Sequence, residues 1–320
     1  MRLAVVGAGV VGRAVVDLAA SYGHDVVAVA DSSSSVVAPN DETLAPDSVL
    51  ARKSEEDVVG DDAPEAALDA DYDVLVEATP TTLGDAEPGY GHAVAALEHD
   101  RHVVLANKGP VAERYDDLRA VEHDSAGRVL FEATVGGAIP AVTTIDDLGP
   151  AHVTAVRGVL NGTANFVLTR MAAEGLDYEH VLAEAQDLGV AEADPSFDVE
   201  GTDAALKCVI LANVLYGGGY SLADAEVEGI DGLPTESLSL AAEDGMTVRL
   251  IGSVEDGVIR VGPRLVPEHG TLAVSGTRNI VQIETDHAGR LNISGRGAGG
   301  PETATAVLAD VGRLSRPDDA

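Results

Sequence analysis

The sequence predicts an α/β protein in which a parallel sheet with crossover helices is followed by a second, α+β domain. Two observations predict this architecture. Short apolar strands alternate with helices up to Glu132, and from Gly136-Gly137 onward strands, glycine turns and longer helical stretches replace that alternation. Regular alternation favours a parallel sheet covered by helices. We therefore assign residues 1–132 and 301–320 to the first domain and residues 133–300 to the second.

Apolar runs and helical periodicity define the elements of the first domain. The predicted strands cover residues 3–6, 26–30, 74–78, 103–106 and 129–132. The predicted helices cover residues 10–21, 91–98 and 114–123, and a terminal helix at 302–314 can return to this domain. Residues 32–63 are polar, with prolines and an acidic run, so we expect loops and a surface helix there.

The second domain contains two helical stretches, at residues 178–188 and 202–215. Its predicted strands cover residues 153–159, 248–251, 258–261 and 280–284. The single cysteine, Cys208, lies in the second helical stretch, so no intramolecular disulfide is possible. Because its neighbours are apolar, we predict that this thiol is buried and structural.

The charge of the chain is strongly acidic and narrows the choice of partners. Twenty basic residues stand against 54 acidic ones, a formal net charge of −34. Such a surface repels phosphates and anionic lipids, so we expect no nucleic acid partner and no membrane association. The acids are spread along the whole chain, which indicates a solvated surface suited to the high-salt cytoplasm of a halophilic archaeon more than an acidic patch for a basic partner.

The location of the protein is predicted to be cytoplasmic. Met1 leads directly into the first strand, which leaves no room for a signal peptide. No apolar run reaches the length of about 18 residues that a membrane-spanning helix needs. Lysine is rare in this chain, and the three lysines are Lys53, Lys108 and Lys207.

A glycine-rich turn after the first strand predicts a dinucleotide site in a Rossmann domain. Its pattern is G-x-G-x-x-G, and we assign five residues to it: Gly7, Gly9, Val10, Val11 and Gly12. The glycines allow a tight turn and the approach of a pyrophosphate to the helix N-terminus. Asp31 follows at the distance of about 20 residues expected of a ribose-binding acid.

Asp31 favours NAD, because a carboxylate accepts hydrogen bonds from both ribose hydroxyls. The alternative is NADP, with a 2′-phosphate held by the serines at residues 32–35 and by Arg52 or Lys53. The sequence leans to NAD.

Asp203 and Lys207 are spaced i and i+4 on the predicted helix at 202–215, so they share one face. One interpretation is an exposed ion pair that contributes about 0.3–0.5 kcal/mol. The other is an acid/base lysine with an orienting carboxylate, because hydride transfer to an aldehyde leaves an alkoxide that must be protonated. A neighbouring cation would lower the pKa of such a lysine, and Lys108 is the expected neighbour.

A group of acids precedes this helix. Glu192, Asp194, Asp198 and Glu200 lie in a loop around Pro195. They are either solvated surface or a site for a substrate ammonium group, with Glu192 the best candidate. The glycine and ligand spacing of a calcium-binding EF-hand is missing.

Five segments, taken in order, resemble the homoserine dehydrogenase family over essentially the whole chain. They are ANKGP at 106–110, EATVGGAIP at 132–140, GVLNGTANF at 158–166, EAQDLGVAEADPSFDVEGTDAALK at 184–207, and GRGAGG followed by ETA at 295–304. The resemblance implies NAD(P)-dependent interconversion of L-homoserine and L-aspartate 4-semialdehyde.

The resemblance also implies roles for individual residues. Lys207 is expected to donate and accept the proton, with Lys108 and Asp203 as the other catalytic residues. Substrate is expected to be held by four residues, namely Glu192, Asp203, Asp198 and Thr163 of the Asn-Gly-Thr turn. The nicotinamide is expected to lie against five residues, namely Thr79, Lys108, Gly189, Gly297 and Gly299.

A monovalent cation, sodium or potassium, is implied at Glu132 and the carbonyls of Val135, Gly137 and Ile139. Taken alone, this segment is equally a glycine turn between domains, although oxygen ligands suit such an ion. The family resemblance further implies a homodimer formed through the second domain. A C-terminal regulatory domain is not expected, because the last motif lies close to the end of the sequence.

Two other functions remain as alternatives. A semialdehyde dehydrogenase that forms an acyl intermediate needs a nucleophilic cysteine, and the apolar helical setting of Cys208 fits that role badly. A non-catalytic dinucleotide sensor would need the glycine turn but not the Lys108, Asp203 and Lys207 cluster.

Overall fold

The computed structural model describes residues 1–39 and 42–314. These residues form two compact units. The first unit comprises Met1–Ala138 together with the described residues from Ala298 onward, and the second comprises Ile139–Gly297. The division lies after Ala138 and before Ala298, where the sequence predicted it after Glu132 and before Pro301.

The first unit contains six strands and seven α-helices within the described residues. The strands are β1 (Arg2–Val6), β2 (Asp25–Ala30), β3 (Ser35–Val37), β4 (Val74–Glu77), β5 (His102–Leu105) and β6 (Val129–Leu130). The helices are α1 (Val10–Leu18), α2 (Pro46–Glu56), α3 (Gly89–Leu97), α4 (Gly109–Glu113), α5 (Tyr115–His123), α6 (Ala133–Gly136) and the terminal α13 (Gly300–Leu314).

The six strands form one sheet in the order β3-β2-β1-β4-β5-β6. All neighbours pair in parallel except β3, which runs antiparallel to β2. The strand order reverses direction at β1, and ligands of open parallel sheets bind outside the carboxyl ends of strands at such a switch point. The predicted α/β class with a Rossmann-type sheet is therefore confirmed.

The terminal helix α13 packs against α1 and contributes Val307, Leu308 and Val311 to the core of the first unit. It also explains why the first unit extends past Glu132. The backbone amide of Glu132 donates a hydrogen bond of 2.9 Å to the buried carboxylate of Asp310. The one-turn helix α6 follows directly and contacts α13, so residues 133–138 stay with the first unit.

The second unit contains six helices and one six-stranded sheet. The helices are α7 (Ala141–Leu148), α8 (Gly162–Glu174), α9 (Tyr178–Asp187), α10 (Ser196–Val199), α11 (Thr202–Tyr216) and α12 (Thr235–Glu243). The strands are β7 (Val153–Val159), β8 (Ala225–Val227), β9 (Met246–Glu255), β10 (Val258–Pro267), β11 (Arg278–Thr285) and β12 (Gly289–Arg296). The sheet order is β12-β11-β7-β9-β10-β8, antiparallel except for the β10–β8 pair.

Helix α11 lies at the centre of the second unit. Twelve of its 15 residues are buried, and it contacts both β9 and β10. A helix that is apolar on nearly all sides must be covered on all sides, which explains its place. The sulfur of Cys208 lies within this packing, and burial raises the pKa of the thiol to about 12, as expected of a structural cysteine.

Several elements depart from the sequence-based expectations. The strand predicted at 129–132 is only Val129–Leu130, and helix α5 begins one residue later than predicted, after the separate helix α4. Nine of these strands and α-helices were not predicted, namely β3, β8, β12, α4, α6, α7, α8, α10 and α12. Residues 161–163 do not form the separate Asn-Gly-Thr turn that the sequence predicted, because they begin α8. Asn161 is the N-cap of this helix, and its side chain accepts a hydrogen bond from the Ala164 amide.

Among the described helices, none combines the length and the apolar character needed to cross a membrane.

Candidate active site

The glycine turn after β1 is shaped by close backbone packing. Gly7 has a φ of +105°, and a Cβ there would lie 2.4 Å from the carbonyl of Ala78. A Cβ on Gly12 would lie 1.8 Å from the carbonyl oxygen of Gly7. Both positions therefore require glycine, whatever binds there.

Gly9 differs from these two glycines, because the space where its Cβ would stand is open for 4 Å. It precedes α1, and Val10, the first residue of that helix, is exposed. The N-terminus of a helix offers free amides and a partial positive charge to an anion. The open space and the helix end fit the pyrophosphate of a dinucleotide.

Asp31 directly follows β2, and its carboxylate is hydrogen-bonded to several groups of its own loop. Its Oδ1 accepts hydrogen bonds from the amides of Ser33 and Ser34, both at 2.8 Å, and from their hydroxyls. Its Oδ2 accepts one from Lys53 Nζ at 2.9 Å. Although burial opposes ionisation, these bonds lower the pKa of Asp31 to about 2, so the carboxylate is charged at any working pH. Lys53 of α2 is also paired with Asp57.

A chain of hydrogen bonds joins the carboxyl ends of β4 and β5. Thr79 donates its amide and its hydroxyl to the buried carboxylate of Glu77. Asn107 donates to the Thr79 hydroxyl at 3.1 Å and accepts the Gly109 amide at 2.9 Å. Lys108 lies between these contacts, at the start of α4. The sequence reasoning identified Thr79 and Lys108 but gave no role to Glu77 or Asn107.

In the second unit, Lys207 and Asp203 form a buried pair. Lys207 Nζ lies 2.6 Å from Asp203 Oδ2 and donates a second hydrogen bond of 2.6 Å to the carbonyl of Leu160. The two side chains are 7% and 9% exposed, which excludes the interpretation as a solvated ion pair. Breaking a buried pair by removing one partner costs about 3–5 kcal/mol, so this pair is a fixed feature of the unit.

Two asparagines extend this cluster, and the sequence reasoning missed both. Asn161 Nδ2 donates to Asp203 Oδ2 at 2.9 Å and to Asp198 Oδ1 at 2.6 Å. Asn279 of β11 donates 2.8 Å to the same Leu160 carbonyl that Lys207 uses. The signal for Asn161 was its helix-capping position in GVLNGTANF, whereas Asn279 lies on a strand far away in sequence.

The other predicted substrate residues lie on neighbouring segments. Thr163, in the first turn of α8, donates to the carbonyl of Val190 at 3.2 Å. Glu192 is exposed on the loop after α9. Asp194 bonds to Ser196 within its own turn, which lowers the pKa of this carboxylate. Of the acids around Pro195, Asp198 in α10 is the one that Asn161 joins to Asp203.

Three glycines predicted near the nicotinamide have different surroundings. Gly189 has a φ of +68° and open space beside it. A Cβ on Gly297 would lie 2.0 Å from Asn279 Nδ2, and one on Gly299 would lie 2.3 Å from a carboxylate oxygen of Glu302. Gly297 belongs to the second unit and Gly299 to the first.

The predicted cation ligands follow one another along the chain. Glu132, Val135 and Gly137 are buried residues of the first unit, and Ile139 is the first residue of the second. The cation site therefore stays a prediction.

Comparison with known proteins assigns both parts of the chain. A family model for the homoserine dehydrogenase NAD-binding domain matches residues 7–132, and a family model for homoserine dehydrogenase matches residues 140–311. The chain belongs to the homoserine dehydrogenase family. Members of this family are NAD(P)-dependent oxidoreductases, which agrees with the glycine turn and the buried lysine.

Individual homoserine dehydrogenases resemble the chain over most of its length. The enzyme of Methanocaldococcus jannaschii is 44% identical over 246 residues, which are 76% of this chain and 73% of that protein. An NAD(+)-dependent homoserine dehydrogenase of Pseudomonas canavaninivorans is 38% identical over 76% of this chain and 71% of its own. The Bacillus subtilis enzyme is longer, and the match spans 57% of it.

Solved structures show the same fold. An Archaeoglobus fulgidus protein assigned to the homoserine dehydrogenases is 40% identical, with a TM-score of 0.91 over 99% of this chain and 100% of that one. A hyperthermophilic archaeal homoserine dehydrogenase in complex with NADPH is 27% identical, with a TM-score of 0.84 over 99% of this chain and 98% of that one.

Proposed function

We propose that the chain interconverts L-homoserine and L-aspartate 4-semialdehyde, with Lys207 as the group that moves the proton. The observation that carries this proposal is the buried pair of Lys207 and Asp203, with Asp198 bound to it through Asn161. A sensor that only binds a dinucleotide needs no such cluster. A cysteine mechanism is disfavoured, because burial raises the pKa of the Cys208 thiol to about 12.

The contacts of Lys207 assign its protons. An ammonium group has three donors. Two point to Asp203 and to the Leu160 carbonyl, which leaves the third for a substrate oxygen. In the oxidation of homoserine, neutral Lys207 accepts the hydroxyl proton, and in the reduction of the aldehyde the ammonium returns it to the oxygen. Asp203 holds the Nζ atom in place throughout.

The bound nicotinamide would supply the hydride chemistry, accepting hydride from the alcohol carbon or delivering it to the aldehyde carbon. The residues proposed to hold this cofactor are Gly7, Gly9, Val10, Val11, Gly12, Asp31, Thr79, Lys108, Gly189, Gly297 and Gly299. Glu192, Asp198, Asp203 and Thr163 are the proposed substrate residues. The Asp203 and Asp198 carboxylates offer negative charge to the ammonium group of an amino acid.

We favour NAD over NADP, and the reason is the charge around Asp31. Lys53 is the cation nearest to that carboxylate, but it is already paired with both Asp31 and Asp57. The three groups together carry a net charge of −1, which opposes a 2′-phosphate and suits a ribose diol. One homoserine dehydrogenase named for NAD(+) and one bound to NADPH are both among the similar proteins.

Three further properties belong to this proposal. A sodium or potassium ion would be held by Glu132 and the carbonyls of Val135, Gly137 and Ile139. The enzyme would be a homodimer formed through the second unit, whose edge strand β12 has no buried residue. Its acidic surface would be adapted to the high-salt cytoplasm of a halophilic organism.

The deciding experiment follows absorbance of the reduced nicotinamide in molar potassium chloride, with homoserine and with NAD or NADP. We expect a homoserine-dependent rise in this absorbance that is faster with NAD.

Lys207→Ala should lower turnover by about 10²–10⁴-fold while cofactor affinity is kept, because general acid–base catalysis contributes about that factor. Lys207→Arg, which keeps the charge but holds its proton, is the matched control and should be equally slow. Normal turnover in Lys207→Ala would overturn the assignment.

A further inference from the structure

Asn161 occupies a position that the family-level function leaves unexplained. It follows β7 and precedes α8, and only 4% of the residue is exposed. Its Oδ1 accepts the amide of Ala164 at 2.8 Å, as the N-cap of α8. Its Nδ2 donates both of its hydrogens, one to Asp198 Oδ1 and one to Asp203 Oδ2. A helix cap needs only the oxygen, so the two carboxylate contacts serve another purpose.

The two carboxylates come from different segments and carry the same charge. Asp198 lies in the one-turn helix α10, and Asp203 lies in the first turn of α11. Like charges placed this close repel each other unless a donor compensates both. The Asn161 amide is that donor, and it joins the Asp198 carboxylate to the Asp203 carboxylate that pairs with Lys207.

Asp203 Oδ2 accepts from two donors at once. Lys207 Nζ lies at 2.6 Å from this oxygen and Asn161 Nδ2 at 2.9 Å. Each donor stabilises the ionised carboxylate, so the Asn161 amide takes up part of the negative charge that Asp203 would otherwise offer to Lys207 alone. Without the amide, Asp203 would rely more on Lys207 and would hold the proton of Lys207 more tightly.

We propose that Asn161 is a positioning residue that holds Asp203 and Asp198 together and limits how strongly Asp203 retains the Lys207 proton. This inference rests on the proposed role of Lys207. Homoserine oxidation needs the neutral amine, so a lysine that keeps its proton too firmly would act only at higher pH.

Asn161 is the neutral side chain that lies between the carboxylates of Asp198 and Asp203. The other groups around Lys207 are as follows. Asp203 is the anion on its own helix, and Asp198 is the second anion, reached through Asn161. The Leu160 carbonyl and Asn279 approach as neutral groups. Cys208, the next residue of α11, stays an uncharged thiol because burial raises its pKa.

The test compares Asn161→Asp and Asn161→Ser with the wild type. Aspartate and serine are both good helix caps, so α8 keeps its N-terminus. Asn161→Asp removes the donor and adds a third carboxylate, and Asn161→Ser weakens the donation without adding charge. The measurement is the pH dependence of kcat for homoserine oxidation, together with the KM of the cofactor.

We expect the rising limb of the profile to move to higher pH in both variants, by about one unit in Asn161→Asp, where one unit corresponds to a tenfold change. Asn161→Ser should move in the same direction by less. The KM of the cofactor should stay unchanged. Profiles that coincide with that of the wild type in both variants would overturn the proposal, and if Asn161→Asp does not fold, Asn161→Ser alone decides.

Asn165→Ser is the matched control. Asn165 is a buried asparagine one turn further along α8, and its amide donates to the carbonyls of Val274, Gly276 and Arg278. Its loss should lower the melting temperature but leave the pH profile in place.

The two proposals fail separately. Full turnover by Lys207→Ala refutes the role of Lys207. An inactive Lys207→Ala, together with pH profiles of the Asn161 variants that do not move, refutes only the present inference.

Discussion

A single lysine shows how burial changes the meaning of a sequence pattern. The i, i+4 spacing of Asp203 and Lys207 is common on exposed helices, where such a pair contributes about 0.3–0.5 kcal/mol. Here both side chains are at most 9% exposed, and the ammonium also bonds to a backbone carbonyl. The pair is therefore a fixed arrangement, and Asn161 and Asn279 define its surroundings.

Asp31 is the residue on which cofactor choice depends. Replacing Asp31 by Asn keeps an acceptor for Ser33 and Ser34 but removes the negative charge. We expect kcat/KM for NAD to fall about tenfold or more, because a hydrogen bond to a charged group contributes about 1.5–3 kcal/mol. The value for NADP should fall less or rise, because the repulsion of its phosphate is removed. Steady-state kinetics with each cofactor measures the ratio of the two kcat/KM values.

The control for this change is Asp57→Asn. Asp57 is the other carboxylate on Lys53, and its side chain is 93% exposed. Its loss should leave the rate with NAD close to the wild-type value. If the kcat/KM for NAD divided by that for NADP is the same in Asp31→Asn as in the wild type, Asp31 does not face the ribose.

At the scale of elements, the turn between β1 and α1 contains two kinds of glycine. Gly7 and Gly12 are required by the fold, because a Cβ would collide with backbone atoms. Gly9 has open space beside it, so the packing of the protein does not explain why a glycine stands there. The difference separates residues that shape the turn from one that leaves room for a ligand.

Gly9→Ala and Gly12→Ala should therefore have different effects. Gly12→Ala should destabilise the protein despite the better helix propensity of alanine, which favours it by about 1 kcal/mol. Gly9→Ala should keep the wild-type melting temperature but weaken cofactor binding about tenfold or more, because the methyl group occupies the approach of the pyrophosphate. Thermal unfolding and calorimetric titration with NAD measure the two effects.

Gly312→Ala serves as the control, because this helical glycine in α13 also has open space around it. Gly312→Ala should leave the affinity for NAD unchanged and should not lower the melting temperature. Wild-type cofactor affinity in Gly9→Ala would exclude the pyrophosphate from this position.

At the scale of the whole molecule, the dominant feature is a net charge of −34. Among the described residues, the buried carboxylates are those of Glu77, Glu132, Asp203 and Asp310. The great majority of the 54 acidic residues are thus solvated to some degree. Their mutual repulsion opposes the compact state and is screened by salt, since the Debye length falls to about 3 Å at 1 M.

The melting temperature should therefore rise with potassium chloride. We expect several degrees between 0.1 M and molar salt, where each kcal/mol corresponds to about 2–4 °C for domains of about 150–250 residues. The control is sucrose added to the protein in 0.1 M potassium chloride. Sucrose stabilises proteins without screening charge, so it should not reproduce the rise in melting temperature that molar salt gives. A melting temperature that is independent of salt would contradict the proposed adaptation.

The sequence by itself determined the alternating sheet of the first unit, the glycine turn and the pairing of Asp203 with Lys207. These depend on local patterns of hydrophobicity and spacing along one element. Tertiary structure alone decided the strands β3 and β12 and the roles of Asp310, Asn161 and Asn279. Edge strands gain their conformation from a neighbour, and a buried amide gains its partners from segments that are distant in sequence, as Asn279 and Leu160 are. Neither kind of contact leaves a periodic signal in the chain.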